Sequence, residues 1–273
     1  MPALIMGVLN VTPDSFYDGA KYNTLEKALE RARFLITNGV DILDLGGEST
    51  RPATPFHQDQ GPVLVLPEEE ERKRVLALLE ILCREFPAQR ISLDTRNANI
   101  AEDAIALGVK MINYVTDEVY DDMAQVIAHH SEVSLVICHM RGSPKTMQDG
   151  EFHDGPMLPY LVEWFTKQIA KLKSYGVKDP QIILDPGIGF GKRKPDQDFE
   201  ILHCIPELKA MGYPLLIGLS RKSFMGKFLG KKASDLLPAT LVLNAFSLRQ
   251  GADILRVHDV NEHKDLIALS SRI

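Results

Sequence analysis

QIILDPGIGFGKRKPDQDFEILHCIPELKAM, residues 181–211, contains one complete unit of the fold. A short β-branched run at 181–184 ends in Asp185 and a glycine-rich stretch, and a helix-patterned segment follows over 196–211. Outward from this unit the same rhythm recurs. Apolar runs at 3–9, 40–45, 90–93 and 111–112 end in Asn10, GGESTRP, Asp94 and Asn113, and runs at 133–138, 214–219 and 253–255 end in His139, SRKS and RVHD. Helix patterns occupy 24–37, 67–86, 98–107, 119–129, 156–175, 234–249 and 262–270. Short runs without polar alternation, each followed by a helix, specify a parallel sheet covered on both faces. Eight such units in 273 residues predict an α/β fold, a single (β/α)8 TIM barrel domain over 1–273 with long loops after strands one, two and five (11–23, 53–66, 140–155). Strand tails in that architecture converge at one mouth, where the chemistry sits.

Bulk properties narrow the partners. A formal charge of −6 lacks the basic face that nucleic acid or anionic membrane demands, and no apolar stretch approaches the length of a membrane span. Three cysteines without metal-ligand spacing fit free thiols in a reducing compartment, so a cytoplasmic enzyme is expected. The tails are nonetheless locally basic: Arg51, Lys192, Arg221, Lys222 and Arg256 lie at or just past strand ends. That pattern predicts a mouth that attracts a small anion.

The tails supply distinct chemistries. Asp94, Asn113 and Asp185 end three strands, and two carboxylates with an amide can read a nitrogen-rich heterocycle by accepting from ring N–H and amine groups; the bland alternative is a set of helix caps. Asn10 offers a neutral oxygen of the kind Mg2+ shares with phosphates, against the simpler reading of a turn residue. In GGESTRP two glycines let backbone approach a ligand, and Arg51 can grip phosphoryl oxygens in pairs or merely bridge to Glu48. SRKS opens toward a helix start, where free N–H groups receive anions, and Arg256 and His258 alternate along the last strand and can share one face. The last two tails therefore form a phosphate-type site in the place barrels often put one. The DPGIGFGK loop matches neither the dinucleotide nor the P-loop spacing; its Phe190 could cover a planar substrate or belong to the core. His139 is a candidate mouth residue, and no histidine pair has zinc spacing.

Taken in order, MGVLNVTPDSF, DLGGESTRP, ISLDT, HMRGSPKTMQ, LDPGIGFGK, SRKSFMG and RVHDV resemble the dihydropteroate synthase family over essentially all eight units. The resemblance implies a transferase of folate biosynthesis that joins 6-hydroxymethyl-7,8-dihydropterin diphosphate to 4-aminobenzoate, with sulfonamides competing for the aminobenzoate pocket. It implies that Asp94, Asn113, Asp185 and Lys222 hold the pterin, and that Asn10, Arg51, Arg256 and His258 bind the diphosphate with Mg2+ on Asn10. It further places Thr50, Pro52, Phe190 and Ser223 around 4-aminobenzoate, and Asp18 in the first loop where it would stabilise a cationic pterin methylene. On this reading Asp18, Arg51, Lys222, Arg256 and His258 carry the catalysis, without a covalent nucleophile. A homodimer is expected, and the chain is compatible with being one domain of a fused folate enzyme.

This sequence departs from the family pattern at Tyr114, where an Asp commonly follows the strand-four Asn, at Asn97, where a Lys is frequent, and in the long 53–66 connection. Two other readings share the Asp/Asn cradle. A pterin-dependent methyltransferase would have no use for STRP and SRKS, and a noncatalytic pterin-binding protein would need no second substrate.

Overall fold

The computed structural model describes residues 3–11, 24–47, 68–143, 146–147, 152–193 and 195–272. Eight parallel strands are present: β1 (Leu4–Asn10), β2 (Ile42–Gly46), β3 (Arg90–Asp94), β4 (Met111–Thr116), β5 (Ser134–His139), β6 (Ile182–Asp185), β7 (Leu216–Ile217) and β8 (Ile254–Val257). They form one sheet in the order β6-β5-β4-β3-β2-β1-β8-β7. A parallel bridge between Leu184 and Leu215 and a 2.9 Å bond from the Leu184 N–H to the Pro214 carbonyl bring the two edges together, so the sheet curls into a barrel.

The helices are α1 (Thr24–Thr37), α2 (Glu68–Glu85), α3 (Ala98–Ala106), α4 (Asp121–His129), α5 (Met157–Ser174), α6 (Asp196–His203), α7 (Ile205–Lys209), α8 (Ser223–Leu229), α9 (Leu237–Gln250) and α10 (Val260–Ser270). The single helix expected over 196–211 is two, because Pro206 has no N–H to continue the ladder; the Cys204 N–H turns back to the Ile201 carbonyl at the break. The strand expected to stop at 112 runs on to Thr116. A polar side chain inside a barrel strand need not end it, and Asn113 is such a case.

Inward-facing side chains stack in tiers, as alternate strand positions must. The lower tier is an apolar plug of Met6, Ile42, Met111, Val136, Ile183, Leu216 and Ile254. Burying each large apolar side chain stabilises the fold by roughly 1.5–3 kcal/mol. Two residues further along, the same strands place Val8, Asp44, Asn113, Cys138, Asp185, Gly218 and Arg256 toward the mouth. The plug is therefore the floor of a polar chamber.

Candidate functional site

The chamber is organised around Arg256. Its Nε donates to Asp44 Oδ2 at 2.7 Å and its guanidinium NH2 to Asp94 Oδ2 at 2.9 Å. Asn113 Nδ2 donates to the same Asp44 oxygen at 3.2 Å. Burial opposes charge on Arg256, yet the two carboxylates hold it above its already high ordinary range. Asp185 stands opposite in register with Cys138 and accepts the Gly187 N–H at 2.8 Å. Gly218 separates the two halves: a Cβ there would lie 3.7 Å from Arg256 Cβ and 3.9 Å from Asp185 Oδ2. Both ionic groups thus flank one bare stretch of backbone.

Lys222 completes the cradle. Its Nζ donates to the Ile188 carbonyl and sits 4.1 Å from the centre of the Phe190 ring. Burial pulls Lys222 down to about 8, with Asp185 opposing, and burial raises Asp185, with Lys222 opposing. Desolvation therefore dominates at both groups, which leaves each in need of a ligand that pairs with its charge. Burial also pushes the Cys138 thiol well up, so it is no nucleophile.

The loop after β6 is built to a fixed shape. Gly187, Gly189 and Gly191 have φ of 68°, 85° and 66°, and a Cβ on Gly187 would meet the His139 carbonyl at 1.8 Å. Lys192, buried, donates to the Gly187 carbonyl at 2.9 Å, the Phe190 carbonyl at 3.0 Å and His139 Nδ1 at 2.8 Å. The lysine leaves that ring nitrogen to accept, so Nε2 carries the proton toward the Tyr160 hydroxyl, 3.2 Å away. Burial, then Lys192, holds His139 well below its usual range.

These contacts correct three expectations. His139 faces away from the mouth, between Tyr160 and Trp164. Lys192 points inward because its donors satisfy the carbonyls of its own loop. Arg221, with φ 54°, braces the loop after β7 through paired bonds of 2.8 and 2.9 Å to Asp259 and bonds to the Ala233 and Ser234 carbonyls. The basic mouth consequently narrows, among the described residues, to Lys222 and Arg256.

The sequence matches the family described as pterin binding enzymes over residues 6–258. A dihydropteroate synthase from Synechocystis is 36% identical over 257 residues, covering 94% of this chain and 85% of the relative. The chain belongs to the pterin-binding enzyme family. Two solved structures give the same fold. Dihydropteroate synthase from Clostridium difficile, crystallised in the presence of pteroic acid, superposes with a TM-score of 0.88 at 38% identity, over 99% of this chain and 96% of that one. The Xanthomonas albilineans dihydropteroate synthase with 4-aminobenzoic acid gives a TM-score of 0.88 at 31% identity, covering 99% and 93%.

Within this pterin-binding barrel the structure brings Asp94, Asn113, Asp185, Lys222 and Arg256 to one chamber. His258 stands just beyond β8, its Nδ1 3.1 Å from Ser220 Oγ, and Ser223 opens α8. Asn10 closes β1, partly exposed, in register with Gly46. Phe190 is not a free cover. It is 9% exposed, packed with Val115, Cys138, Met140 and Met147. Asp18, Thr50, Arg51, Pro52 and the 53–66 connection lie outside the described residues.

Tyr114 leaves the chamber untouched. It packs into the layer between sheet and helices, and burial pushes its phenol up to about 12. It also walls a separate concavity of about 600 Å3 with Arg96, Thr116, Asp117 and Tyr120, which shares none of the chamber's carboxylates. Sequence reasoning missed Asp44. Its signal was a carboxylate inside the apolar run DILDL, two residues before the tail.

Among the described residues no three His, Cys, Asp or Glu side chains group to hold a metal. Asn10 offers a neutral oxygen at the end of β1. That donor set fits Mg2+ only as an ion sharing most of its ligands with a phosphorylated substrate and water.

Proposed function

We propose that the protein condenses 6-hydroxymethyl-7,8-dihydropterin diphosphate with 4-aminobenzoate, yielding 7,8-dihydropteroate and diphosphate, with 1–273 as one catalytic domain. The observation that carries this reading is the chamber itself: acceptors Asp94, Asn113 and Asp185 set beside the cations Lys222 and Arg256 at one mouth. A flat ring rich in N–H donors and bearing a phosphorylated arm matches both halves.

In this proposal Asp94, Asn113 and Asp185 accept from the pterin, while Lys222 supports its ring. Arg256, His258, Arg51 and Asn10 bind the diphosphate. The C–O bond to the diphosphate breaks first, and the electron pair leaves with the phosphate oxygen; Arg256 and Lys222 offset the charge that develops there. Asp18 would stabilise the remaining pterin cation. The amine of 4-aminobenzoate, held among Thr50, Pro52, Phe190 and Ser223, then forms the new C–N bond and releases a proton. Mg2+ on Asn10, when bound, would add charge stabilisation to the leaving diphosphate.

A cytoplasmic homodimer is the proposed setting. Free thiols at Cys83, Cys138 and Cys204 support a reducing compartment. The packed helices α9 and α10 expose Val242 and Leu269, which supports self-association, to be measured by sedimentation.

Diphosphate release tests the reaction. It is expected to require the pterin diphosphate and to rise on adding 4-aminobenzoate, with 7,8-dihydropteroate formed in equal amount. Release that never responds to 4-aminobenzoate would overturn the proposal.

A further inference from the structure

Asp44 is a carboxylate with no exposed surface, in the middle of β2, and it touches two cradle residues at once. A carboxylate in an ion pair can only accept hydrogen bonds, so the Asn113 atom facing it must be the amide nitrogen. The nitrogen is then committed, and the amide oxygen must face elsewhere. Asn113 Oδ1 is buried and has no hydrogen-bond partner among the described residues. A buried acceptor left in that state is rare unless a ligand or water satisfies it.

We propose that Asp44 is the positioning residue that sets the hydrogen-bond pattern of the cradle. By fixing the Asn113 amide it makes acceptors of all three groups opposite the donor Lys222, Asp94 and Asp185 as carboxylates and Asn113 through Oδ1. Without that constraint an asparagine presents either end of its amide to a ligand. The chamber therefore selects heterocycles that offer only donors along that edge, such as the N–H and exocyclic amine of a pterin. It rejects rings with an oxo group in the amine's place. Asp44 also holds Arg256 Nε, which keeps the guanidinium beside Asp94. This inference rests on the pterin reading and adds the residue that enforces it.

The test compares binding of 6-hydroxymethylpterin with that of 6-hydroxymethyllumazine, its oxo-for-amine analogue, by calorimetry. Asp44→Leu removes the acceptor that Asn113 Nδ2 faces, so the amide is no longer held and can present either end to the ligand. The expected result is a loss of about tenfold in the preference for pterin over lumazine, with lumazine affinity improved. The double variant Asp44→Leu/Asn113→Asp keeps the charge count and restores an acceptor-only group, so it should recover the preference for pterin. A preference within about twofold of the unaltered chain in folded Asp44→Leu, or no recovery in the double variant, would overturn the assignment.

A measurement on the unaltered chain covers the case in which the variants do not fold. On adding pterin, the Asn113 side-chain carbonyl carbon should shift while its amide nitrogen, held by Asp44, moves little. The reverse pattern would overturn the inference. Failure of the unaltered chain to bind either ring would instead remove the pterin reading, and this inference with it.

Discussion

Asp185 has one oxygen committed to the Gly187 N–H at 2.8 Å and the other 3.9 Å from where a Gly218 side chain would begin. Asp185→Asn exchanges an acceptor-only group for one that presents a donor, and is expected to weaken pterin binding by about 2–3 kcal/mol. Unchanged affinity by calorimetry would remove Asp185 from the cradle. Lys222 carries a pH signature. Its amine is held down to about 8 by burial, so in the free protein the cation is lost as pH rises through that value. The kcat/KM for the pterin diphosphate should fall above pH of about 8. Lys222→Arg should move that limb upward, and an identical limb in both proteins would show that another group titrates. Asp94, Asn113, Asp185 and Lys222 were legible because each marks or follows the end of an apolar run. Asp44 was not. It lies inside its apolar run and not at the run's end, and its contact with Arg256 is what shows that it faces the lumen.

The loop after β6 is the element on which the cradle depends. Lys192 satisfies two carbonyls and a ring nitrogen inside it; removing the amine strips the donor from the buried Phe190 carbonyl and His139 Nδ1, while the Gly187 carbonyl keeps the Phe190 N–H at 3.0 Å. Lys192→Met should therefore destabilise the protein by about 3 kcal/mol or more, read in denaturant, and weaken pterin binding through Asp185. Linkage gives the sign of a second effect. Burial lowers Lys192 to about 8 from an ordinary 10.5, so between those values the unfolded chain holds a proton that the folded chain lacks. Stability of the unaltered protein relative to Lys192→Met should then climb across that window, by about 1.4 kcal/mol per pH unit at most, and decline as pH falls toward 8. A flat difference would mean that the amine is charged when folded. From sequence the same lysine read as mouth charge, because a strand tail does not disclose which way its last residue turns. Likewise the hydrophobic pattern over 196–211 continues across Pro206, so periodicity alone joined what the missing N–H divides.

At the scale of the molecule, the weakest seam of the barrel among the described residues lies between β6 and β7. β1 to β6 pair through ladders of three to six registered residues, whereas the β6 and β7 edges meet through the Leu184–Leu215 bridge among the described residues. Local opening should start there, since opening free energy follows the contacts that must break. The amide of Leu184, bonded across the seam to Pro214, should exchange faster than that of Leu43, in the middle of β2. The proposed ligand spans the same gap, touching Asp185 at the end of β6 and Lys222 beyond β7. At about one hundred times its Kd it should add about 2.7 kcal/mol to the closed state and slow exchange at Leu184 roughly a hundredfold. Equal rates at Leu184 and Leu43, or protection by pterin confined to β1 and β2, would show that the ligand sits elsewhere. The site and the closure of the fold are then one problem: the two edges that pair least bring the two groups that most need a ligand, Asp185 and Lys222, face to face.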